Sequence, residues 1–388
     1  MNKLLKRIDP AKLVPQLLAP IAALLLAAGV SAIVLIISGK DPLFAYQRMF
    51  KFTFTDFGSA DTQVEIFNKA TEYYIAAVAV AIGFKMGLFN IGADGQSRIG
   101  AFMAGSLAGA SFLSWLPGPL RIVLVIVVAM IVGALWALIA ALLKTNRGVS
   151  EVISTLMLNV IAGQVVTWLL NDHWGIQLPG AQIKTTPILP KDSWMPGIPL
   201  VAEAKGPVLG FFAVAVVVGI LYWFGLNRTR FGFDLRATGF NPSAAVASGV
   251  NAKRMVIATM VISGAVAGLI NLPRMLGETH TYTEGFASIG FTGIAVALLG
   301  RNHPIGMALA AILWGFLARS QLVLDLEGIP KEIVLIMQGV TVFAVVVAYE
   351  LANRIGARAQ QRRVGATADE PPPAPVAAGA ALTVEDPK

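Results

Sequence analysis

Apolar residues recur in blocks along most of this chain, separated by short segments rich in polar residues, glycine or proline. A helix needs about 20 predominantly apolar residues to cross the hydrocarbon of a bilayer, and most blocks reach that length. The pattern predicts an all-α integral membrane protein with about ten transmembrane helices, at residues 14–37, 70–86, 97–116, 120–143, 151–170, 207–226, 254–272, 289–300, 303–320 and 331–351.

The distribution of basic residues predicts the orientation of these helices. With the N-terminus inside, most of the 30 lysine and arginine residues fall in the N-terminal segment, the inner loops and the C-terminal segment. Such an excess is typical of cytoplasmic loops. We therefore expect a multi-pass membrane protein with both termini in the cytoplasm. We interpret the net charge of +8 as the basic excess that orients the helices in the membrane, and no nucleic-acid partner is expected.

Ten helices divide into two halves of five that run in opposite directions, which is the arrangement of an inverted-topology repeat. In each half a polar stretch interrupted by glycine or proline follows the second helix, at 87–98 and at 273–290. Paired interruptions of this kind point to broken helices around a substrate path. The fold prediction is therefore a 5+5 inverted repeat with broken helices, although no repeat of individual residues accompanies it.

The remaining segments complete the predicted organisation. Residues 1–352 are expected to form the transmembrane domain, with long outer loops at 38–69 and 171–206. These loops are either docking surfaces or ordinary connections. Residues 353–388 end in a stretch rich in proline and alanine without periodicity, which predicts a disordered cytoplasmic tail.

The sequence restricts the energy source of any transport. Ion-driven carriers usually place Asp, Glu or His inside the bilayer, and the predicted spans carry acids only at their ends, at Glu72, Glu151 and Glu332. A GxxxxGK[ST] phosphate-binding loop is absent from the sequence. Without cysteine, and with three scattered histidines, no metal site is expected. We expect a non-catalytic subunit without a cofactor of its own, driven by a partner; an ion-coupled secondary transporter acting alone is the alternative.

The inner loop 227–254, NRTRFGFDLRATGFNPSAAVASGVNAKR, has the composition of a coupling element. Asn241 is a good N-cap, Pro242 suits the first helical position, and Gly249 can adopt the left-handed conformation that ends a helix. The predicted product is a helix of about seven residues with small side chains, between two arginine-rich ends. Its proposed role is to transmit force from a partner subunit, and a plain connector is the alternative.

The segment GLFNIGADGQSRIGAFMAG, 87–105, concentrates polar residues and glycine between apolar blocks. Non-helical backbone at membrane depth occurs only where it is buried in protein or lines a watery cavity. The amide side chains suit a neutral solute, and an acid–base pair at i and i+4 is expected to be structural. The alternative is a tight inner loop that only joins two spans. The structural motif comprises Gly87, Gly92, Asp94, Gly95 and Arg98.

Two further stretches supply candidates for a substrate path. Polar or small residues recur every four positions from Thr155 to Thr167 and form one stripe on a helix; ordinary helix packing is the alternative. Aromatic residues border the 273–290 interruption and either stack on a solute or belong to the core. The candidate path residues are Asn90, Gln96, Thr155, Asn159, Gln164, Phe286, Phe291 and Thr292.

Four segments resemble motifs of ATP-binding-cassette (ABC) importer permeases of the nucleoside and simple-sugar branch, within the ribose and branched-chain amino-acid permease superfamily. FKMGLFNIGADGQSRIGAFMAG resembles the GLFNIG-x-EGQ signature, with Asp94 where the family more often has Glu. The others are GVSEVISTLMLNVIA, LRATGFNPSAAVASGVN and GFTGIAVALLGRNHPIGM. The resemblance covers about residues 14–352.

The resemblance implies a membrane subunit of an ATP-driven importer. Its partners would be a nucleotide-binding ATPase that holds ATP and Mg²⁺, a second permease and an extracytoplasmic substrate-binding lipoprotein. The resemblance favours a heterodimer of two different permeases. Nucleosides are the first expected cargo and simple sugars such as pentoses the second. The residues expected to couple to the ATPase are Gly239, Asn241, Pro242, Ala244, Ala245 and Gly249.

Overall fold

The computed structural model describes residues 10–180, 182–284 and 289–368, and helices dominate it. The only sheet among these residues is a two-stranded antiparallel hairpin, β1 (Ile176–Gln177) and β2 (Lys184–Thr185). The α-helices are α1 (Pro10–Ile37), α2 (Pro42–Phe54), α3 (Ser59–Phe84), α4 (Ala93–Ala108), α5 (Gly118–Arg147), α6 (Glu151–Leu169), α7 (Phe211–Arg228), α8 (Arg230–Phe240), α9 (Pro242–Ala247), α10 (Ala252–Ala267), α11 (Leu272–Arg274), α12 (Ile289–Leu299), α13 (Pro304–Leu326) and α14 (Lys331–Ala368).

The all-helical prediction is confirmed, but the count of ten spans is not. Five stretches in the described part of the chain are long and apolar enough to cross a membrane: α5, α6 with its extension to Trp174, α7, the run Ala252–Thr279, and α13. A sixth is counted if the pair Leu24–Ile37 and Pro42–Phe54, bent by 118°, is one broken span. The predicted spans at 70–86, 97–116 and 289–300 do not meet this test, because α4 and α12 are short and α3 carries many polar residues. The predicted span at 331–351 is helical but lies partly outside the described side chains.

The segment 38–69, predicted as an outer loop, is largely helical and contains α2 and the start of α3. Asp41 caps α2 by accepting a hydrogen bond from the Leu43 amide at 2.9 Å, and Pro42 occupies the first turn. Between the two helices Gly58 has a φ of +84°, which permits the tight turn. The predicted loop at 171–206 is mostly irregular, apart from the end of a π-helical turn, the hairpin and a short 3₁₀ turn.

Helix α3 is the central helix of the fold. Its residues 75–81 are Ile, Ala and Val side chains without measurable exposure, and α7, α10, α12 and α13 all pack on it. Small side chains allow this close approach. A Cβ atom added at Gly293 of α12 would lie 2.6 Å from the Ala76 carbonyl carbon, so only glycine fits at that crossing.

Helices α5 and α10 meet along a second seam of small residues. A Cβ added at Gly133 of α5 would lie 2.4 Å from the Gly264 oxygen of α10, and one at Gly268 would lie 2.1 Å from the Ala129 oxygen. Helix association within lipid depends on van der Waals packing between small residues rather than on a hydrophobic driving force. This seam therefore fixes α10 against α5.

One acidic residue lies deeper than the sequence indicates. Glu72 was expected at the end of a span, but it lies in the middle of α3 and is 3% exposed. Its carboxylate accepts a hydrogen bond from the Lys69 ammonium at 2.9 Å. Burial of a carboxylate is costly unless a partner and hydrogen bonds compensate it, and Lys69 supplies both.

The chain divides into two compact units. Ala28–Val342 forms one of them and contains every site residue discussed below. The other combines the two chain ends, of which the structure describes 10–27 and 343–368. The expected boundary at 352 falls inside α14, which continues to Ala368; residues 369–388 lie outside the described part.

Candidate functional site

We call residues 85–92, which join α3 to α4, the re-entrant segment, because they turn back along the end of α3. The chain turns at Gly87, which has a φ of +74°, and then runs back beside α3. A Cβ added at Gly83 would lie 2.9 Å from the Leu88 oxygen, so the returning chain touches the end of α3. Helix α4 begins at Ala93, and the Gly95 amide donates to Asn159 Oδ1 at 2.9 Å. Asn159 lies about 12 Å along α6 from its first residue, so α4 starts well inside the fold.

Asn90 anchors this re-entrant segment. Its Nδ2 donates to Gln96 Oε1 at 2.9 Å and to Ser263 Oγ at 2.8 Å. Its Oδ1 accepts from Gln96 Nε2 at 3.0 Å and from the Gly92 amide at 3.1 Å. Ser263 in turn donates to the Ala79 oxygen at 2.6 Å. Asn90 and Gln96 are each 1% exposed, so the structure places both predicted path residues in a saturated core network that joins α3, α4 and α10.

The N-termini of α4 and α12 meet beside this network. A Cβ added at Gly290, the second residue of α12, would lie 2.4 Å from the Asp94 amide nitrogen. Helix α12 has 11 residues and is therefore about 16 Å long, roughly half the hydrocarbon thickness. Helix N-termini carry partial positive charge, which favours an acidic side chain in the first turn. Asp94 occupies that turn of α4, and its carboxylate lies 3.2 Å from Arg98 Nε, which confirms the expected i, i+4 pair.

The predicted stripe on α6 divides into two parts. Thr155 is fully buried and donates to the Glu151 oxygen at 2.6 Å. Asn159 Nδ2 donates to the Ile91 oxygen at 2.8 Å, in addition to its bond from Gly95. This inner part holds the re-entrant segment. Farther along the helix, Gln164 is exposed.

We call the outer part, with its neighbours, the α4–α6 face; it comprises Arg98, Gly163, Thr167 and Glu284. A Cβ added at Gly163 would lie 3.9 Å from Arg98 Nη1. Thr167 Oγ1 donates to the Glu284 carboxylate. The Arg98 side chain is 31% exposed, and Thr167 and Glu284 are half-buried. The face therefore brings an arginine, a glutamate and a hydroxyl onto one surface.

Aromatic rings border the α4–α6 face. Phe102 of α4 stacks on Trp174 with centroids 5.8 Å apart and meets Tyr282 edge-on at 5.9 Å. Phe291 of α12 is 45% exposed, whereas Thr292 beside it is half-buried. Phe286 lies outside the described residues. The stripe on α6 had already indicated Thr167, but no local signal pairs it with Glu284, 117 residues away.

The predicted short helix in the loop 227–254 is present as α9. Asn241 Oδ1 accepts from the Ala244 amide at 3.1 Å, Pro242 is in the first turn, and Gly249 ends the turn with a φ of +88°. Ala245 faces the protein and is buried, while Asn241, Pro242 and Ala244 are exposed. Helix α9 is thus firmly capped and presents most of its surface outward.

Helix α8 connects α9 to the re-entrant segment. Thr229 caps α8 by accepting from the Gly232 amide at 3.1 Å. At the other end, a Cβ added at Gly239 would lie 2.7 Å from Met86 Cα and 2.8 Å from the Lys85 oxygen. The backbone immediately before α9 therefore rests on the base of the re-entrant segment, a contact that the sequence motifs do not reveal.

Among the described residues no group of three or more His, Asp or Glu side chains is arranged to hold a metal ion. Beside α9 a polar cavity of about 560 Å³ opens between α8 and the start of α10, lined by Arg230, Asp234 and Arg254 among others. Its two arginines make it suited to an acidic side chain.

The sequence is similar to a family of known membrane transport proteins. Residues 63–346 match the family described as the permease component of the branched-chain amino acid transport system. A guanosine ABC transporter permease protein of Bacillus subtilis is 33% identical over 353 residues, 89% of this chain and 97% of that protein. A nucleoside ABC transporter permease protein of Lactococcus lactis is 31% identical over 86% and 92% of the two chains. A glucose ABC transporter permease protein of Haloferax volcanii is 30% identical over 94% and 97%. No solved structure matches.

Proposed function

The chain belongs to the family of permease components of the branched-chain amino acid transport system, and from this premise we propose that it is the transmembrane subunit of an ATP-driven importer of nucleosides. The choice of nucleosides as cargo is supported by the similarity of this chain, along most of its length, to permeases named for guanosine and for nucleosides. In this proposal a partner subunit hydrolyses ATP and this chain performs no catalysis.

The proposed assembly contains three kinds of partner. A nucleotide-binding ATPase, which holds ATP and Mg²⁺, docks on α9; a second, different permease completes the path; and an extracytoplasmic lipoprotein delivers the cargo. The proposed topology keeps ten crossings in two inverted halves, with both termini in the cytoplasm of a bacterial inner membrane. Its support is that α4 and α12 are short helices that each follow an interruption and meet at their N-termini.

Force is proposed to pass from α9 to the middle of the membrane through one backbone contact. Movement of α9 shifts Gly239, and Gly239 is packed on Met86 without room for a methyl group. Met86 lies four residues before Asn90, whose bonds tie the re-entrant segment to α3, α4 and α10. Interfaces packed this closely transmit displacement because they do not compress. The contact between the N-termini of α4 and α12 would then open or close.

The α4–α6 face is the proposed wall of the path, completed by the second permease. Arg98, Glu284 and Gln164 offer donors and acceptors to ribose hydroxyls and base edges, and the rings near Trp174 and Phe291 provide stacking surfaces. Among the other residues expected from the sequence, Thr292 borders this wall. Asn90, Gln96, Thr155 and Asn159 are proposed to act on the path indirectly, by holding the re-entrant segment.

Simple sugars are the second candidate cargo. The observation that favours them is the 30% identity to the glucose permease of Haloferax volcanii over nearly the full length of both chains. Identification of the ligand that co-purifies with the binding protein separates the two: a nucleoside supports the first proposal and a free sugar the second.

Coupling is tested in proteoliposomes that contain this permease, its second permease, the ATPase and the binding protein. Gly249→Leu forces a side chain onto a φ of +88°, and Gly148→Leu does the same at +68° in the turn between α5 and α6; both Cβ positions are in open space. Each change costs about 1–2 kcal/mol of backbone strain. We expect Gly249→Leu to abolish cargo-stimulated ATP hydrolysis and Gly148→Leu to retain it.

Two results would reject the coupling proposal. One is equal ATPase stimulation in the Gly249→Leu and Gly148→Leu proteins. The other is uptake that persists in vesicles that contain only this chain and an ion gradient, which would indicate an ion-coupled carrier instead. Asn241→Pro, which removes the cap of α9, provides an independent second variant.

A further inference from the structure

An apolar groove lies on the outer surface of the protein, away from the α4–α6 face. Its volume is about 530 Å³, and α3, α7 and α13 form its walls. Nearly all of its lining is aliphatic or aromatic, and exposed side chains such as Val216 and Ile305 stand at its edges. The groove is open at the surface, and two of its walls, α7 and α13, are long and apolar enough to cross a membrane.

Small residues create the groove. Tyr74 of α3 packs directly on Gly219 of α7, where an added Cβ would lie 2.0 Å from the Tyr74 hydroxyl oxygen. Ala215 on α7 and Ala308 on α13 leave space where larger side chains would close the surface. The tight contact at Gly219 fixes the floor, so the groove is a permanent feature of this packing.

The length of the groove fits one acyl chain. Along α7 it extends from Phe212 to Trp223, a rise of eleven residue steps, which corresponds to about 16 Å of helix. Half of the hydrocarbon thickness of a bilayer is about 15 Å. A single extended lipid tail therefore fills the groove from end to end.

Positive charge lies at one end of the groove. The Arg228 guanidinium is 5.5 Å from the centroid of the Trp223 ring, which lines that end. His303, also in the lining, is two residues from the exposed Arg301. Tyr222 donates to the Asn302 oxygen at 2.8 Å and so holds the end of α7 to this turn. Two arginines thus flank the mouth of an otherwise uncharged groove.

We propose that this groove is a binding site for an anionic phospholipid, with one acyl chain between α7 and α13 and the phosphate between Arg228 and Arg301. Trp223 lies where tryptophan is enriched in membrane proteins, at the boundary between hydrocarbon and headgroups. This site is independent of the cargo path and of the coupling helix. The occupant is a lipid, because the lining offers hydrocarbon contacts along its length and Arg228 and Arg301 lie beside one end.

The acyl-chain part of the site is tested with neighbouring pairs of variants. Val216 lines the groove and Val217 does not, although both are about half exposed on α7. Protein purified in detergent is equilibrated with phosphatidylglycerol, and bound lipid is counted by native mass spectrometry. We expect Val216→Trp to lose the bound lipid and Val217→Trp to keep it. On α13, Ala308→Trp and Leu309→Trp form a second pair, in case one variant folds poorly.

The headgroup part is tested by charge removal. Arg228→Gln and Arg301→Gln should each weaken the preference for phosphatidylglycerol over phosphatidylcholine about fivefold. Arg147→Gln, an exposed arginine at the end of α5, should leave the preference unchanged. Equal lipid retention by the Val216→Trp and Val217→Trp proteins, or no preference for the anionic lipid in the unmodified protein, overturns the proposal. A cross-link from Ile305 to the second permease also overturns it, because the groove would then be a protein interface.

Discussion

Replacement of Asn90 by alanine tests whether this residue supports the fold or contacts cargo. The Asn90 side chain makes four hydrogen bonds, two as donor and two as acceptor, which is its full capacity. Each buried bond contributes about 1 kcal/mol. Asn90→Ala removes all four and leaves the Gln96 amide without its partner, at a further cost of about 1–3 kcal/mol. We therefore expect a loss of about 5 kcal/mol in the free energy of unfolding.

The assay is unfolding of the purified protein by a denaturing detergent in mixed micelles, with helical circular dichroism as the signal. Gln164→Ala is the matched control, because Gln164 is an exposed amide on α6 and its loss should change stability by about 0.5 kcal/mol or less. Because Asn90 and Gln96 share two bonds, the double alanine variant should lose about 2 kcal/mol less than the sum of the single variants.

Normal stability of the Asn90→Ala protein would contradict a structural role for Asn90. Suppose that the free energy of unfolding of Asn90→Ala is within about 1 kcal/mol of that of the unmodified protein, but that the variant transports no cargo. The four hydrogen bonds then do not support the fold, and Asn90 acts on the solute. Gln164→Ala is expected to show the converse, normal stability with altered uptake, because its exposed side chain is next in sequence to Gly163 of the α4–α6 face.

Three further outcomes follow from the packing and the charges. Gly290→Ala should abolish transport by separating α12 from α4, since its Cβ would lie 2.4 Å from the Asp94 nitrogen; normal uptake would contradict the close meeting of these helices. Gly264→Leu should prevent stable folding, measured as the yield of monodisperse protein, because α5 leaves no room there. Burial lowers the pKa of His280, which stacks on Trp194, and a hydrogen bond to the Leu276 backbone only partly opposes this. The unfolded state then binds more protons, so thermal stability should fall as pH drops below about 6.5, and less so in His280→Gln.

Local rules within the sequence were sufficient for several parts of this protein. The Asn–Pro start and the glycine stop of α9 depend only on neighbouring residues, and the helix formed as expected. The pairing of Asp94 with Arg98 required only helical spacing. Long apolar blocks indicated a helical membrane protein, because a backbone in lipid must satisfy its own hydrogen bonds.

The tertiary structure decided where the polar residues act. Composition placed Glu72 at the end of a span and assigned Asn90 to a path, yet packing buries Glu72 beside Lys69 and uses every hydrogen-bonding group of Asn90 within the core. Thr167 and Glu284 meet although 117 residues separate them. The sequence shows which polar and charged side chains need a hydrogen-bonding or ionic partner. Only the packing of the helices determines which partner lies within hydrogen-bonding distance.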